Sequence, residues 1–209
     1  MRLVVLALVH SALAFGSDPD PRPPSARKIA TARWMANRLT WGVLSTISSR
    51  GSSEGSAVGS PFGNVYSIAD GPVGNGSGTP YLYTTLMDSS MIDIFGERPN
   101  ANVSLSLSEA AHAGGYADCE ASARGDPENP PCARLTLTGT FQNISGTPEE
   151  RLARQALFGR HPSMADWPQE HGWFFGKVKV EAVWLIDFYG GATIITPKDY
   201  YAFNASRDA

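Results

Sequence analysis

The sequence predicts an α+β fold that is mainly β: a closed barrel of six to eight antiparallel strands in one domain, with three helices beside it. Three observations predict it. Apolar and polar residues alternate with period two through most of the chain, the signature of strands with one face buried. The 209 residues include 21 Gly and 15 Pro, a density of turn formers that suits many short strands and not a helical bundle. Only three stretches carry helix start signals, and no internal repeat is visible. A chain of this length buries about two thirds of its unfolded surface around one core, so no staple is obligatory.

Residues 1–16 read as a secretory signal peptide, with Arg2 as a positive flank, an apolar run from Leu3 to Val9, and a small-residue cleavage site at Ala12-Leu13-Ala14. That run is far short of the ~20 residues a spanning helix needs, and nothing later is longer. The mature protein is therefore expected outside the cell or in the endolysosomal lumen. Residues 17–24, Ser-Asp-Pro-Asp-Pro-Arg-Pro-Pro, read as a flexible extended lead-in, and 25–209 as one domain.

A helix is predicted over 25–39, with Ile29, Ala32, Ala36 and Leu39 on one face and Ser25 as its cap. Strands follow over 41–48, 62–69 and 81–86. Val103 to Ser108 and Arg134 to Thr138 alternate strictly; Gly139 breaks the second pattern, and Phe141 resumes its apolar face. Thr147-Pro148-Glu149-Glu150 opens a helix to about residue 158, with Thr147 as cap and Glu150 completing a capping box. Residues 173–189 read as one long bent strand or two strands with a bulge. Gly190-Gly191 turns the chain into a last strand over 193–196, and Thr196-Pro197 starts a short helix through Tyr201.

Formal net charge is −3 and there is no basic patch, so the electrostatic footprint of a nucleic-acid binder is missing. Two cysteines, Cys119 and Cys132, read best as one disulfide in an oxidising compartment. Closing such a loop of ~14 residues contributes roughly 3 kcal/mol. The alternative is a metal site, for which only His112 and Asp118 lie near in sequence. Four N-glycosylation sequons begin at Asn75, Asn102, Asn143 and Asn204.

No catalytic, cofactor-binding or metal-ligating residue is assigned. Gly51-Ser52-Ser53-Glu54-Gly55 matches a nucleophile elbow in letters, but no helix follows it, so a hydrolase using Ser53 is a weak reading. Gly74-Asn75-Gly76-Ser77-Gly78 precedes a strand, not a helix, and suits a glycan-bearing loop better than a phosphate cradle. His161 and His171 lack the spacing of a helical zinc pair and read as structural. Trp167, Trp173, Phe174, Phe175, Trp184, Phe188 and Tyr189 are core, dimer interface or partner surface, which the sequence leaves open.

Several patterns in order carry a family resemblance. They are Trp41-Gly42-x-Leu44-x-Thr46-Ile47-Ser48, Asp70-Gly71-Pro72 and Gly76-Ser77-Gly78-x-Pro80-Tyr81-x-Tyr83. Next comes the run from Arg160-His161-Pro162 through Trp167-Pro168 and His171 to Trp173-Phe174-Phe175, then Thr196-Pro197-x-x-Tyr200-Tyr201. Together they resemble the CREG family of secreted glycoproteins. The resemblance implies a flavin-mononucleotide-binding-like split β-barrel, shared with pyridoxamine-phosphate oxidases. It further implies a homodimer, glycosylation, roles in growth, differentiation or lysosomal regulation, receptor partners such as mannose-6-phosphate receptors, and loss of the flavin. Asn143 and Asn204 stand where relatives carry sequons; Asn75, Asn102 and the segment from Thr84 to Asp93 depart from the family pattern.

In flavin-binding relatives of this fold, Arg and Lys on early barrel strands grip the flavin phosphate. Here no Lys or Arg occurs from Gly51 to Glu97. The expectation is a non-enzymatic protein without a cofactor that acts by protein binding, with no membrane span and no nucleic-acid partner. The alternative is a flavin-dependent oxidoreductase of the pyridoxamine-phosphate-oxidase type.

Overall fold

Period-two alternation becomes a curled antiparallel sheet in a computed structural model that describes residues 21–52, 55–56, 58–112, 119 and 126–203. The signal peptide read over 1–16, the start of the lead-in, Ser53, Asp118 and Asn204 lie outside the described residues. The strands are β1 (Trp41–Ile47), the two-residue pair β2 (Gly51–Ser52) and β3 (Gly55–Ser56), β4 (Pro61–Ser67), β5 (Tyr81–Thr84), β6 (Asn102–Ser108), β7 (Arg134–Asn143), β8 (Phe174–Ile186) and β9 (Thr193–Ile195). The main sheet runs β4-β1-β6-β7-β8-β5, with β9 on β8, and every pairing in it is antiparallel. Its two ends touch where Ala69 and Tyr81 exchange backbone hydrogen bonds of 3.4 and 2.9 Å. The result is a barrel closed at one point and split elsewhere.

Directly opposed residues of neighbouring strands share a face. Leu44, Leu105, Leu137, Val183 and Ile195 form one such row across five strands, all buried in the barrel. Each apolar side chain so buried contributes about 1.5–3 kcal/mol. The next row over, Val65-Val43-Ser106-Thr136-Trp184-Ile194, faces outward across six strands.

The helices are α1 (Lys28–Arg38), α2 (Ser89–Phe95), α3 (Glu150–Arg160) and α4 (Pro197–Ala202). Met35, Ala36 and Tyr200 bring α1 and α4 onto the barrel core, together with Met91 and Ile94 of α2. Helix α3 builds a second core with Ala153 and Leu157 against Tyr83 and Phe175.

Four local expectations change. The first helix starts at Lys28, and Ser25 is not its cap: Arg27 takes that position with no side-chain cap bond, after a turn in which its N–H reaches Pro24 O at 2.8 Å. Helix α2 was not predicted; Asp88 caps it by accepting from Ser90 N–H at 2.8 Å. Gly139 does not break the alternation: it takes a buried position between Leu137 and Phe141. Strand β7 continues to Asn143 through a register shift after Thr138, and a side chain at 139 would collide with the Lys179 carbonyl, so the close approach demands glycine. Before α3, Thr147 Oγ1 donates to Ile144 O at 2.6 Å instead of capping, while Glu150 accepts from Gly146 N–H at 2.8 Å.

The described end of the lead-in is docked. Arg22 donates to Pro131 O at 2.9 Å and to Asp187 O at 3.1 Å, and pairs with Glu109 at 2.9 Å. Lys28 pairs with Asp187 at 2.5 Å. Both carboxylates are buried, so this segment ties down one end of the barrel.

Candidate functional site

The residues that would hold a flavin phosphate are the first test of the site. Arg50 comes three residues after β1 and is the last cation before the stretch from Gly51 to Glu97. Its Nε donates to Asp93 Oδ1 at 3.0 Å and its Nη2 to Oδ2 at 3.4 Å. Ser49 N–H and Thr46 Oγ1 donate to the same carboxylate at 2.9 and 2.8 Å. Asp93 has no exposed surface. Burial pushes its carboxyl up, but Arg50 and the other donors outweigh that and hold it below the usual carboxylate range. The Arg50 guanidinium also lies over the Phe62 ring at 4.2 Å. With the next stretch free of Lys and Arg and Arg50 engaged by a buried carboxylate, these strands do not fit a flavin phosphate.

The glycine-rich loop gives the same answer for any phosphate cradle. Asp70 is buried, and accepts from Asn37 Nδ2 at 2.6 Å and from Gly78 N–H at 2.8 Å. Asn37 Oδ1 accepts from Gly74 N–H at 2.7 Å. The N–H groups of Gly74, Asn75, Ser77 and Gly78 are thus taken up by Asn37 of α1 and by acceptors of the loop itself. Gly74 and Gly78 adopt φ of 76° and 81°, which only glycine enters freely. Burial raises the Asp70 carboxyl above its ordinary value despite Asn37, Gly78, Arg33 and Arg160 around it. At the loop tip Asn75 is exposed.

Cys119 and Cys132 are joined as a disulfide. Ligand atoms of Glu109 and both cysteines lie within 4.8 Å of one another. The sulfurs are bonded to each other, however, and Glu109 accepts from Ala133 N–H at 2.8 Å as well as from Arg22, so the cluster is a structural knot. The sequence pointed to neither Glu109 nor Arg22, which come together from positions 87 apart. His112 lies 3.4 Å from Arg38 Nη2. His161 Nε2 sits 3.0 Å from Ile68 O, and the His171 ring is 5.9 Å from Trp173.

The aromatic residues divide three ways. Tyr83 is surrounded by Trp167, Trp173, Phe158 and Phe175 at ring distances of 5.9, 5.3, 5.3 and 4.7 Å. Phe174 faces the main core. Trp184, Phe188 and Tyr189 are exposed.

Trp184 belongs to the feature that most resembles an interaction site, the outward face of the sheet. In its central row Val65 is 61% exposed and Ile194 70% exposed, and no residue carries a charge. The neighbouring row, Gly63-Ser45-Ser104-Thr138-Ala182, is also uncharged. Charge returns only beyond them, at Arg134 and at Lys179 and Glu181. Of the other sequons, Asn102 lies on β6 opposite Thr140 and Asn143 at the end of β7 opposite Gly176, both exposed. Among the described residues, no helix is long and apolar enough to cross a membrane.

Comparisons agree with this architecture. Residues 23–202 match the family model described as "CREG, beta-barrel". The chain is 36% identical to chicken protein CREG1 over 201 residues, covering 95% of this chain and 98% of that one. It is 39% identical to human protein CREG2 over 188 residues, covering 89% of this chain and 60% of that one. Among solved structures, a heme binding protein from Mycobacterium smegmatis superposes with a TM-score of 0.61 at 22% identity, over 86% of this chain and 61% of that one. ChuZ from Campylobacter jejuni superposes with a TM-score of 0.55 at 10% identity, over 90% of this chain and 66% of that one. These structural likenesses show the fold, a flavin-mononucleotide-binding-like split β-barrel. The chain belongs to the CREG β-barrel family.

Proposed function

We propose that this protein is a non-enzymatic glycoprotein of the secretory and endolysosomal system that acts by protein binding. It pairs as a homodimer and meets receptors, such as mannose-6-phosphate receptors, through its glycans and surface loops, in growth, differentiation or lysosomal regulation. The observation that carries this reading is the engagement of Arg50 by buried Asp93: the barrel keeps its shape while its cation serves packing and not a phosphate. Exposure of Asn75, Asn102 and Asn143 supports a glycosylated surface. The outward rows support pairing of two copies, since depletion of charge marks the centre of an interface and the same patch on both partners complements itself.

The test is a flavin titration of protein secreted from eukaryotic cells, read by the visible spectrum and by flavin mononucleotide fluorescence. No bound flavin and no quenching at tens of micromolar ligand is expected. Stoichiometric, tight binding would overturn the reading in favour of an oxidoreductase.

A further inference from the structure

Arg22 sits in the end of the barrel as a bound ligand would. Its Nη1 lies 2.9 Å from Glu109 Oε2 and donates to Pro131 O at 2.9 Å, and its Nη2 donates to Asp187 O at 3.1 Å. These acceptors come from three separate parts of the chain: Glu109 directly after β6, Pro131 shortly before β7, and Asp187 directly after β8. A planar fork of donors suits such a set, and a compact ammonium does not.

The acceptors are held by bonds in which Arg22 has no part. Glu109 Oε2 accepts from Ala133 N–H at 2.8 Å, and Glu109 N–H donates to Ala133 O at 2.8 Å. Cys132 N–H donates to Asn129 O at 2.8 Å, and the disulfide to Cys119 fastens the same loop. Glu109 and Asp187 are each 1% exposed, so the pocket offers two carboxylates away from bulk water. Asp187 also has acceptor capacity to spare. Lys28 pairs with its Oδ1 at 2.5 Å, while its Oδ2 is buried and has no hydrogen-bond partner among the described residues. Buried acceptors are seldom left open, and this one points to a ligand with a donor that the lead-in does not bring.

The lead-in itself offers the barrel little beyond the Arg22 fork, because Pro21, Pro23 and Pro24 have no backbone N–H to donate. Pro24 O accepts from Arg27 N–H at 2.8 Å, which turns the segment into α1 and keeps Arg22 near the pocket. So short a tether gives Arg22 an effective concentration on the order of millimolar, which closes the pocket to more dilute ligands.

We infer that the end of the barrel is a guanidinium-binding pocket, closed in cis by Arg22, whose ligand in trans is arginine on an extended, proline-flanked segment of another protein. The seated occupant defines that class: a fork among carboxylate and carbonyl oxygens, with proline on both sides. The pocket uses neither the pairing nor the glycans proposed above, so its test does not depend on them.

The experiment uses full-length protein secreted from eukaryotic cells, as the parent, Arg22→Ala and Arg22→Lys. The probe is a fluorescein-labelled peptide with the sequence of residues 17–24, followed by anisotropy, beside a second peptide with lysine in place of its arginine. The arginine peptide should bind Arg22→Ala roughly tenfold or more tightly than it binds the parent. The lysine peptide should bind roughly tenfold more weakly than the arginine peptide. Arg22→Lys leaves a cation beside Glu109 without the fork, so it carries the same comparison should Arg22→Ala fail to fold. Ethylguanidinium chloride should raise the melting midpoint of Arg22→Ala saturably, and ethylammonium chloride at equal ionic strength should not. Adding Glu109→Gln to either variant should remove peptide binding. Equal binding by parent and variants would overturn closure by Arg22, and equal binding of the two peptides would overturn recognition of the fork. Binding that survives Glu109→Gln lies elsewhere and overturns the pocket, as does a lack of binding by both variants.

Discussion

Arg22 reaches across the end of the barrel to the buried carboxylate of Glu109, at 2.9 Å. Glu109 is 1% exposed and accepts from Ala133 N–H next to Cys132, and the cation that balances it comes from a proline-rich stretch far away in sequence. Hydrogen bonds to charged groups contribute about 1.5–3 kcal/mol each when one partner is removed. Arg22→Met keeps the side-chain stem and removes the fork, and should lower stability to unfolding by urea by about 2 kcal/mol. An unchanged urea midpoint would mean that Glu109 finds another partner.

Asp93 and Asp70 should give opposite slopes of stability against pH. Asp93 is held below its ordinary value in the fold, so its contribution is full above the unfolded carboxylate pKa of about 3.9 and is lost as pH falls through the lowered value. Asp70 is raised, chiefly by burial, so its contribution is full below about pH 3.9 and is lost as pH rises through the raised value. Asp93→Asn should flatten the acid side of the profile, and Asp70→Asn the side above it. Urea midpoints measured from about pH 3 to about pH 7 decide this. Equal flattening on both sides by either variant would refute the assignment.

Gly139→Ala should cost about 1–3 kcal/mol, the range for forcing extra volume into a packed site. The new methyl group meets the Lys179 carbonyl, which is backbone and cannot swing away. Faster amide exchange along β7 and β8 should accompany the loss, while β1 and β4 keep their protection. A variant as stable as the parent would show that the two strands can separate at no cost.

Removing both cysteines, as Cys119→Ala with Cys132→Ala, should cost about 2–5 kcal/mol. Thermal unfolding with and without reductant checks this: reductant should lower the midpoint of the parent and leave the double variant unmoved. A parent indifferent to reductant after full reduction would mean that the loop adds nothing to stability.

Alternation alone placed most strands of the sheet, because a half-buried strand writes its two faces into every second residue. Thr196-Pro197 likewise announced α4, whose cap is built from neighbours: Thr196 Oγ1 accepts from Asp199 N–H at 3.1 Å. Helix α2 escaped because seven residues are too few to show a helical period. Gly139 reads as a break in the alternation because it offers no apolar side chain, and only the fold shows a buried position where the Lys179 backbone presses close, with the extra residue of the register shift, Glu181, on β8.

The candidate site divides along the same line. By itself the sequence determined the family patterns, the sequons, the pair of cysteines and the absence of cations from Gly51 to Glu97. Only the tertiary structure decided that Arg50 is engaged by Asp93, 43 positions away, and that Trp184 shares an uncharged outward row with residues from five other strands. Local patterns are encoded by neighbours in the chain, whereas the partner of a charge and the company of an exposed ring depend on which strands lie side by side, and that follows from burial of the whole core.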